Sequence, residues 1–186
     1  MVLVRLGAER LSKLREHLLP ADSRIEQGAF LFCRHTVSVA GDEMFDCVDW
    51  VALEPEDYEI QSGDYLELGD VARARLIKQA HDRQLCLVES HSHPGPYPAA
   101  LSYSDLTGLD EFVPHVRWRL RGRPYAALVF AKTGFDGLAW TDGSGIPRQV
   151  DAIESELKRI AATKLTLAQN VRSRPKFPPV FPPIAV

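Results

Sequence analysis

No window of about 18 apolar residues occurs in the 186-residue chain, so no helix of it is expected to span a bilayer. Neither sign of charge is in surplus. The 22 Lys and Arg against 25 Asp and Glu leave a formal charge of −3, too weak a field to recruit nucleic acid or an anionic membrane. Arg117, Arg119, Arg121 and Arg123 come closest to a basic patch. Their alternation reads as the solvated face of an extended segment, and no nucleic-acid or membrane partner is expected. Cysteine is scarce and odd in number: Cys33, Cys47 and Cys86 each sit in an apolar run. Buried reduced thiols explain them better than a disulfide framework. The opening segment Met1–Leu6 is too short and too soon charged for a secretory signal, which makes a cytoplasmic location the expectation.

What is present is an ordinary globular pattern, long enough for one compact domain. Ala8–Leu19 carries leucines at helical spacing, and so does Asp70–Arg83 with Val71, Leu76, Ile77 and Ala80. Ile25–His35 and Met44–Leu53 read as strands, with a short strand near Tyr58–Ile60. Leu85–Val88 is a β-prone run of the kind a central strand shows. Ser102–Val113 starts like a helix, and Tyr125–Phe130 with Gly134–Trp140 forms a strand pair around Lys132-Thr133. Gln149–Leu167 reads as a charged helix, and Ser173–Val186 as a proline-rich tail. Helices interspersed with antiparallel-looking pairs predict an α/β domain, a mixed sheet flanked by helices, over residues 1–168, with the tail from 169 to 186.

The informative stretch runs Glu89-Ser90-His91-Ser92-His93-Pro94 and on to Ser102-Tyr103-Ser104-Asp105. Histidines at i and i+2 of an extended backbone project to the same side, so both imidazoles can reach one ion. A catalytic zinc takes three His or carboxylate ligands and leaves a fourth position open. Asp105, returned by a Pro- and Gly-rich turn, can be the third, and an oxygen beside two nitrogens suits Zn2+. A His-x-His pair alone is expected by chance roughly one time in five at this composition, so the Pro, Ser and Asp at fixed offsets carry the signal. Ser102-x-x-Asp105 is also a helix capping box, a reading compatible with ligation; Ser104 is a competing cap.

This segment resembles the JAMM motif of the JAB/MPN metalloproteases: two histidines one residue apart, then Ser and Asp three apart on the following helix. The family's gap between second His and Ser is seven residues, whereas this chain has eight, Pro94–Leu101. The resemblance implies a single α/β domain with a mixed sheet between helices, the cytidine-deaminase-like arrangement. It also implies a glutamate far upstream that carries the proton of a zinc-activated water, and Glu26-Gln27-Gly28 followed by an apolar run fits that place. Gly28 suits a point where backbones approach closely. Glu89, on the face and strand of His91, is the rival; its position favours orienting a ligand from behind. Ser102 is left to donate its hydroxyl to the oxyanion, since histidines committed to a metal cannot serve it as a base.

The chemistry implied is zinc-dependent amide hydrolysis. In the family that means cutting after the C-terminal glycine of a ubiquitin-like protein, either deconjugating it or maturing its precursor. The chain is most similar to the prokaryotic branch, which works beside conjugating- and activating-enzyme homologues or on sulfur-carrier proteins. Other readings are a non-catalytic MPN scaffold, a DNA-repair-associated JAB-like domain, and a metal enzyme acting on a small molecule. The tail, with Phe-Pro-Pro twice, is a candidate contact for a conjugating-enzyme homologue.

Overall fold

The apolar run at 29–33 becomes the middle of a sheet because neither of its faces meets solvent. A computed structural model describes residues 1–168. In it, β2 (Gly28–Val37) pairs antiparallel with β3 (Glu43–Ala52) on one side and with β6 (Cys86–Ser92) on the other. From β3 the sheet continues through β1 (Val2–Arg5) and β10 (Ala152–Glu154), both parallel joins, to β11 (Arg159–Ala161). From β6 it continues through β7 (Tyr125–Ala131), parallel, then β8 (Gly134–Trp140) and β9 (Arg148–Gln149), antiparallel. This nine-stranded mixed sheet runs in the order β11-β10-β1-β3-β2-β6-β7-β8-β9. A separate hairpin holds β4 (Tyr58–Gln61) and β5 (Leu66–Leu68).

Side chains alternate across the pleat, so each strand feeds two cores. Helix α1 (Ala8–Leu18) lays Leu11, Leu14 and Leu18 over one face, against Leu31, Cys33, Val88 and Leu128. Helices α2 (Asp70–Asp82) and α3 (Tyr103–Arg119) cover the other face through Leu76, Leu109, Val113 and Val116, against Phe30, Phe32, Leu87 and Tyr125. One α/β domain on one mixed sheet is what the sequence predicts.

Four sequence expectations need correction. Residues 149–164 are not part of a helix; of the expected span only 165–167 are helical. Val150, Ala152 and Ile153 are buried, and β10 supplies β1 with its second neighbour, while Ser155 and Lys158 close the turn into β11. The charged residues that imitate a helix face are the solvated turn of a hairpin, and pairing with β1 overrides local propensity. The arginines at 117–123 are not extended either: Arg117 and Arg119 end α3, Arg121 takes a positive φ of 56°, and Arg123 binds the carbonyls of Ala80 and Leu85. Helix α3 also passes through Pro114 rather than ending at Val113, held by the buried Val116 one turn on. Strand β2 starts at Gly28, so Ile25–Gln27, including Glu26, forms an irregular lead-in. The proline-rich tail at 169–186 lies outside the described residues. Among the described residues no helix is long and apolar enough to cross a membrane.

Candidate metal centre

Strand β6 sends Leu87, Glu89 and His91 toward the α2/α3 face, and His93 follows on the same side just beyond the strand end. Backbone bonds fix this edge: His93 N–H donates to Phe130 O (2.8 Å), and Ser92 N–H donates to Gln27 O (3.0 Å). Gln27 N–H returns to Ser92 Oγ (3.0 Å), which ties the Glu26 lead-in beside the two histidines. Gly28 stands opposite His91 in the ladder, and a Cβ there would lie 2.8 Å from Leu53 Cδ1 and 3.2 Å from Tyr58 Oη. The close neighbours of Gly28 are the side chains of Leu53 and Tyr58 rather than the second backbone expected there, and they leave no room for a Cβ.

Asp105 arrives from the other side, on the first turn of α3. Its position is set by the capping box: Asp105 N–H donates to Ser102 Oγ (3.1 Å), and Ser102 N–H donates to Asp105 Oδ2 (2.6 Å). Ser102, not Ser104, is the cap. The eight-residue gap from Pro94 to Leu101 is accommodated because Ala99 and Leu101 bury themselves under the loop.

The three side chains meet. His91 Nε2 and His93 Nε2 are 3.2 Å apart, and Asp105 Oδ2 lies 3.5 Å from the first and 3.3 Å from the second. Ligand atoms about 2.0–2.1 Å from a tetrahedral ion stand about 3.3–3.4 Å from one another, so the observed triangle has the size such an ion requires. Among the described residues this is the one group of three or more His, Cys, Asp or Glu with that convergence, and it could hold a metal ion.

Charge at the site favours a cation. Burial works against a charged His91, yet Asp105, Glu26 and Glu89 outweigh it and raise the imidazole to about 9. Burial likewise opposes ionised Asp105, but His91, His93 and the Ser102 amide hold its carboxyl far below the usual range. Glu26, only 3% exposed, has Oε1 3.5 Å from His93 Nε2. Burial pushes its carboxyl upward against the pull of the two histidines. Glu89 is half-buried, and it bonds not to a histidine but to Tyr125, whose hydroxyl donates to Glu89 Oε2. Burial raises both groups, so the phenol stays protonated and donates.

Beyond the six sequence-derived positions, Thr163, Thr166 and Asp136 also build the site. Asp136 is fully buried and accepts from Thr166 Oγ1 (2.7 Å), the Thr166 amide (2.8 Å), the Lys164 amide (3.2 Å) and Gln149 Nε2 (2.7 Å). Thr166 Oγ1 then accepts from the Leu101 amide (2.9 Å), one residue before the cap, and Thr163 Oγ1 donates to Ala99 O. No local pattern marks these residues: Thr166 meets Asp136 of β8 across 30 residues of sequence, and Thr163 meets Ala99 across 64.

A groove of about 1000 Å³ opens from the centre between α2, α3 and the β4–β5 hairpin. His91, Asp105 and Glu89 lie along it, with Phe30, Ile77 and Phe112 on its walls. Neither the protein-family models nor the curated proteins contain a match to this chain.

Proposed function

We propose that the chain is a zinc-dependent amide hydrolase of JAB/MPN (JAMM) type, acting as a protease or isopeptidase. The observation that carries this reading is the 3.2–3.5 Å triangle of His91 Nε2, His93 Nε2 and Asp105 Oδ2, with a buried glutamate beside it. These three residues would hold the zinc. Zinc held there supplies Lewis acidity toward an amide carbonyl and toward a water.

The chain's own groups do the rest. Glu26, placed across the histidines from Asp105, takes the proton of the attacking water on its carboxylate and delivers it to the leaving amine. Ser102 Oγ accepts the Asp105 amide through a lone pair, so its hydroxyl proton remains available to donate to the oxygen that gains charge. The groove admits an extended segment, and β5 pairs on one edge with β4 while its residues line the groove. That geometry suits a peptide added as a further strand. By resemblance the substrate is the glycine-ended C-terminus of a ubiquitin-like protein, with conjugating- or activating-enzyme homologues as partners.

The test is metal content together with turnover. The purified chain is expected to hold about one zinc, and His91→Ala to hold none. Glu26→Gln keeps the zinc and loses cleavage of a ubiquitin-like fusion by roughly 100-fold or more. Wild-type protein that takes up no zinc would sink the proposal.

A further inference from the structure

Resting on the amide-hydrolase reading, we propose that Gln61, the last residue of β4, is a positioning residue for that reaction. Its side-chain amide clamps the main chain of Glu26 and so aims the proton-carrying carboxylate at the histidines.

The Glu26 side chain has no donor to hold it. Among the described residues its carboxylate accepts no hydrogen bond, and His93 Nε2 stands 3.5 Å from Oε1. Such a side chain is aimed by its backbone, yet Glu26 precedes β2, where no strand ladder fixes that backbone. Two peptide planes flank its Cα, and the β4–β5 hairpin holds both. Glu26 N–H donates to Ser62 O (2.7 Å), and Gln61 Nε2 donates to Glu26 O (2.9 Å). From the sheet, Ser92 Oγ reaches only the second plane, through Gln27 N–H. Gly28 is fixed by other groups: Tyr58 Oη accepts its N–H (2.7 Å), while Leu53 N–H and His17 Nε2 donate to its carbonyl (3.0 and 2.9 Å). Ser92, Leu53 and His17 thus secure residues 27 and 28, whereas 26 depends on the hairpin.

The Gln61 amide can face only one way. Its nitrogen meets a main-chain carbonyl, an acceptor that cannot be turned over, and also donates to Gln27 Oε1 (3.2 Å). The hairpin is itself anchored. At its base Arg75 Nη2 donates to both carboxylate oxygens of Asp57 (2.9 and 3.0 Å), and Gly69 N–H donates to Asp57 O (2.8 Å). In its turn, a Cβ on Gly63 would lie 2.5 Å from Arg24 O, so the turn packs directly on the backbone that leads to Glu26.

Gln61→Met keeps the length of the side chain and removes both donors. Amide hydrogen exchange on the full chain as purified reads the clamp without turnover. The amides of Glu26 and Gln27 are expected to exchange about tenfold faster in the variant, while Leu31 and Val88 at the sheet centre exchange as in wild type. Turnover of the zinc-loaded chain reads the consequence. For the ubiquitin-like fusion, kcat should fall roughly 10- to 100-fold with KM within about twofold, because a misplaced base costs the chemical step and not binding. In a Glu26→Gln background the same change should lower the residual kcat by less than about twofold, since the base it aims is gone; a structural Gln61 would cost as much in both backgrounds. Gln61→Glu, of the same shape, sets an acceptor against Glu26 O and should cost at least as much, which covers the case of an unfolded Met variant. Unchanged exchange at Glu26, a loss carried by KM, or an equal loss in the Glu26→Gln background overturns the assignment. Faster exchange at Glu26 in a chain whose wild type hydrolyses nothing removes the hydrolase reading and leaves the clamp; a loosened Glu26 with full turnover does the reverse.

Discussion

The two faces of the central sheet carry different chemistry on the same strands. On the α1 face, Cys33 on β2 stands opposite Cys47 on β3 and Cys86 on β6, so all three thiols of the chain lie in one row. Thiolates are the best nucleophiles among the side chains, yet this row is sealed under Leu11, Leu14 and Leu18. Burial pushes Cys33 well above its ordinary range and Cys86 to about 11. On the α2/α3 face the same β6 presents Glu89 and His91 to an open groove. Cover, rather than residue inventory, decides which face can react: closing one sheet face with a leucine stripe keeps thiols out of reach, even Cys47, which its contact with Cys33 holds below the ordinary thiol range, whereas two helices that part over the other leave ionisable groups within reach of substrate.

The comparison breaks most visibly if the sealed face is opened. Leu14 is fully buried in α1, and Leu14→Ala is expected to destabilise the chain by about 2–5 kcal/mol, through lost burial plus the cavity left behind. Urea unfolding measures this, and zinc per folded chain should not change, because no ligand lies on that face. A variant that lost zinc while still folded would show that the faces are coupled.

A smaller effect separates the faces by pH. The folded Cys86 thiol keeps its proton up to about 11, against an ordinary value of 9.0. Between those values the folded state binds more protons than the unfolded one, so stability is full below pH 9 and falls as pH rises toward 11. The loss is on the order of 2 kcal/mol for this group. Denaturant midpoints from pH 8 to 11 should fall, and Cys86→Ala should flatten the fall. An equal slope in the variant would assign the loss to other groups.

Much of the site was legible because its signals are local. His-x-His puts two imidazoles on one side through the two-residue period of a strand, and Ser102-x-x-Asp105 marks a helix start through a bond pattern that spans three residues. The sheet's centre was legible in the same way, as runs such as Leu31-Phe32-Cys33 that both faces bury. Residues 149–164 were not, because Val150, Ile153, Leu157 and Ile160 are spaced as on a helix, and only pairing along β1 puts Ile153 and Ile160 in strands, with Leu157 in the turn between them. Tyr125 escaped for a related reason. Its bond to Glu89 joins strands 36 residues apart, and no spacing within either strand announces it.

The misread C-terminal hairpin supplies the finest test, since Thr166 reaches the site through it. Its hydroxyl donates to Asp136 Oδ2 and accepts the Leu101 amide, which holds the residue before the Ser102 cap. Thr166→Val keeps the shape and removes both bonds, leaving the buried Leu101 N–H without a partner, at about 1–2 kcal/mol. Asp136 retains Gln149 Nε2 and the Lys164 and Thr166 amides, so the strand junction survives. The loosened cap lets Asp105 drift from the histidines, and zinc affinity, measured by chelator competition, is expected to fall roughly tenfold. Thr166→Ser, which preserves the hydroxyl, should restore it. If Thr166→Val loses stability but binds zinc normally, the burial of Ala99 and Leu101 alone positions the third ligand, and the hairpin belongs to the fold rather than to the site.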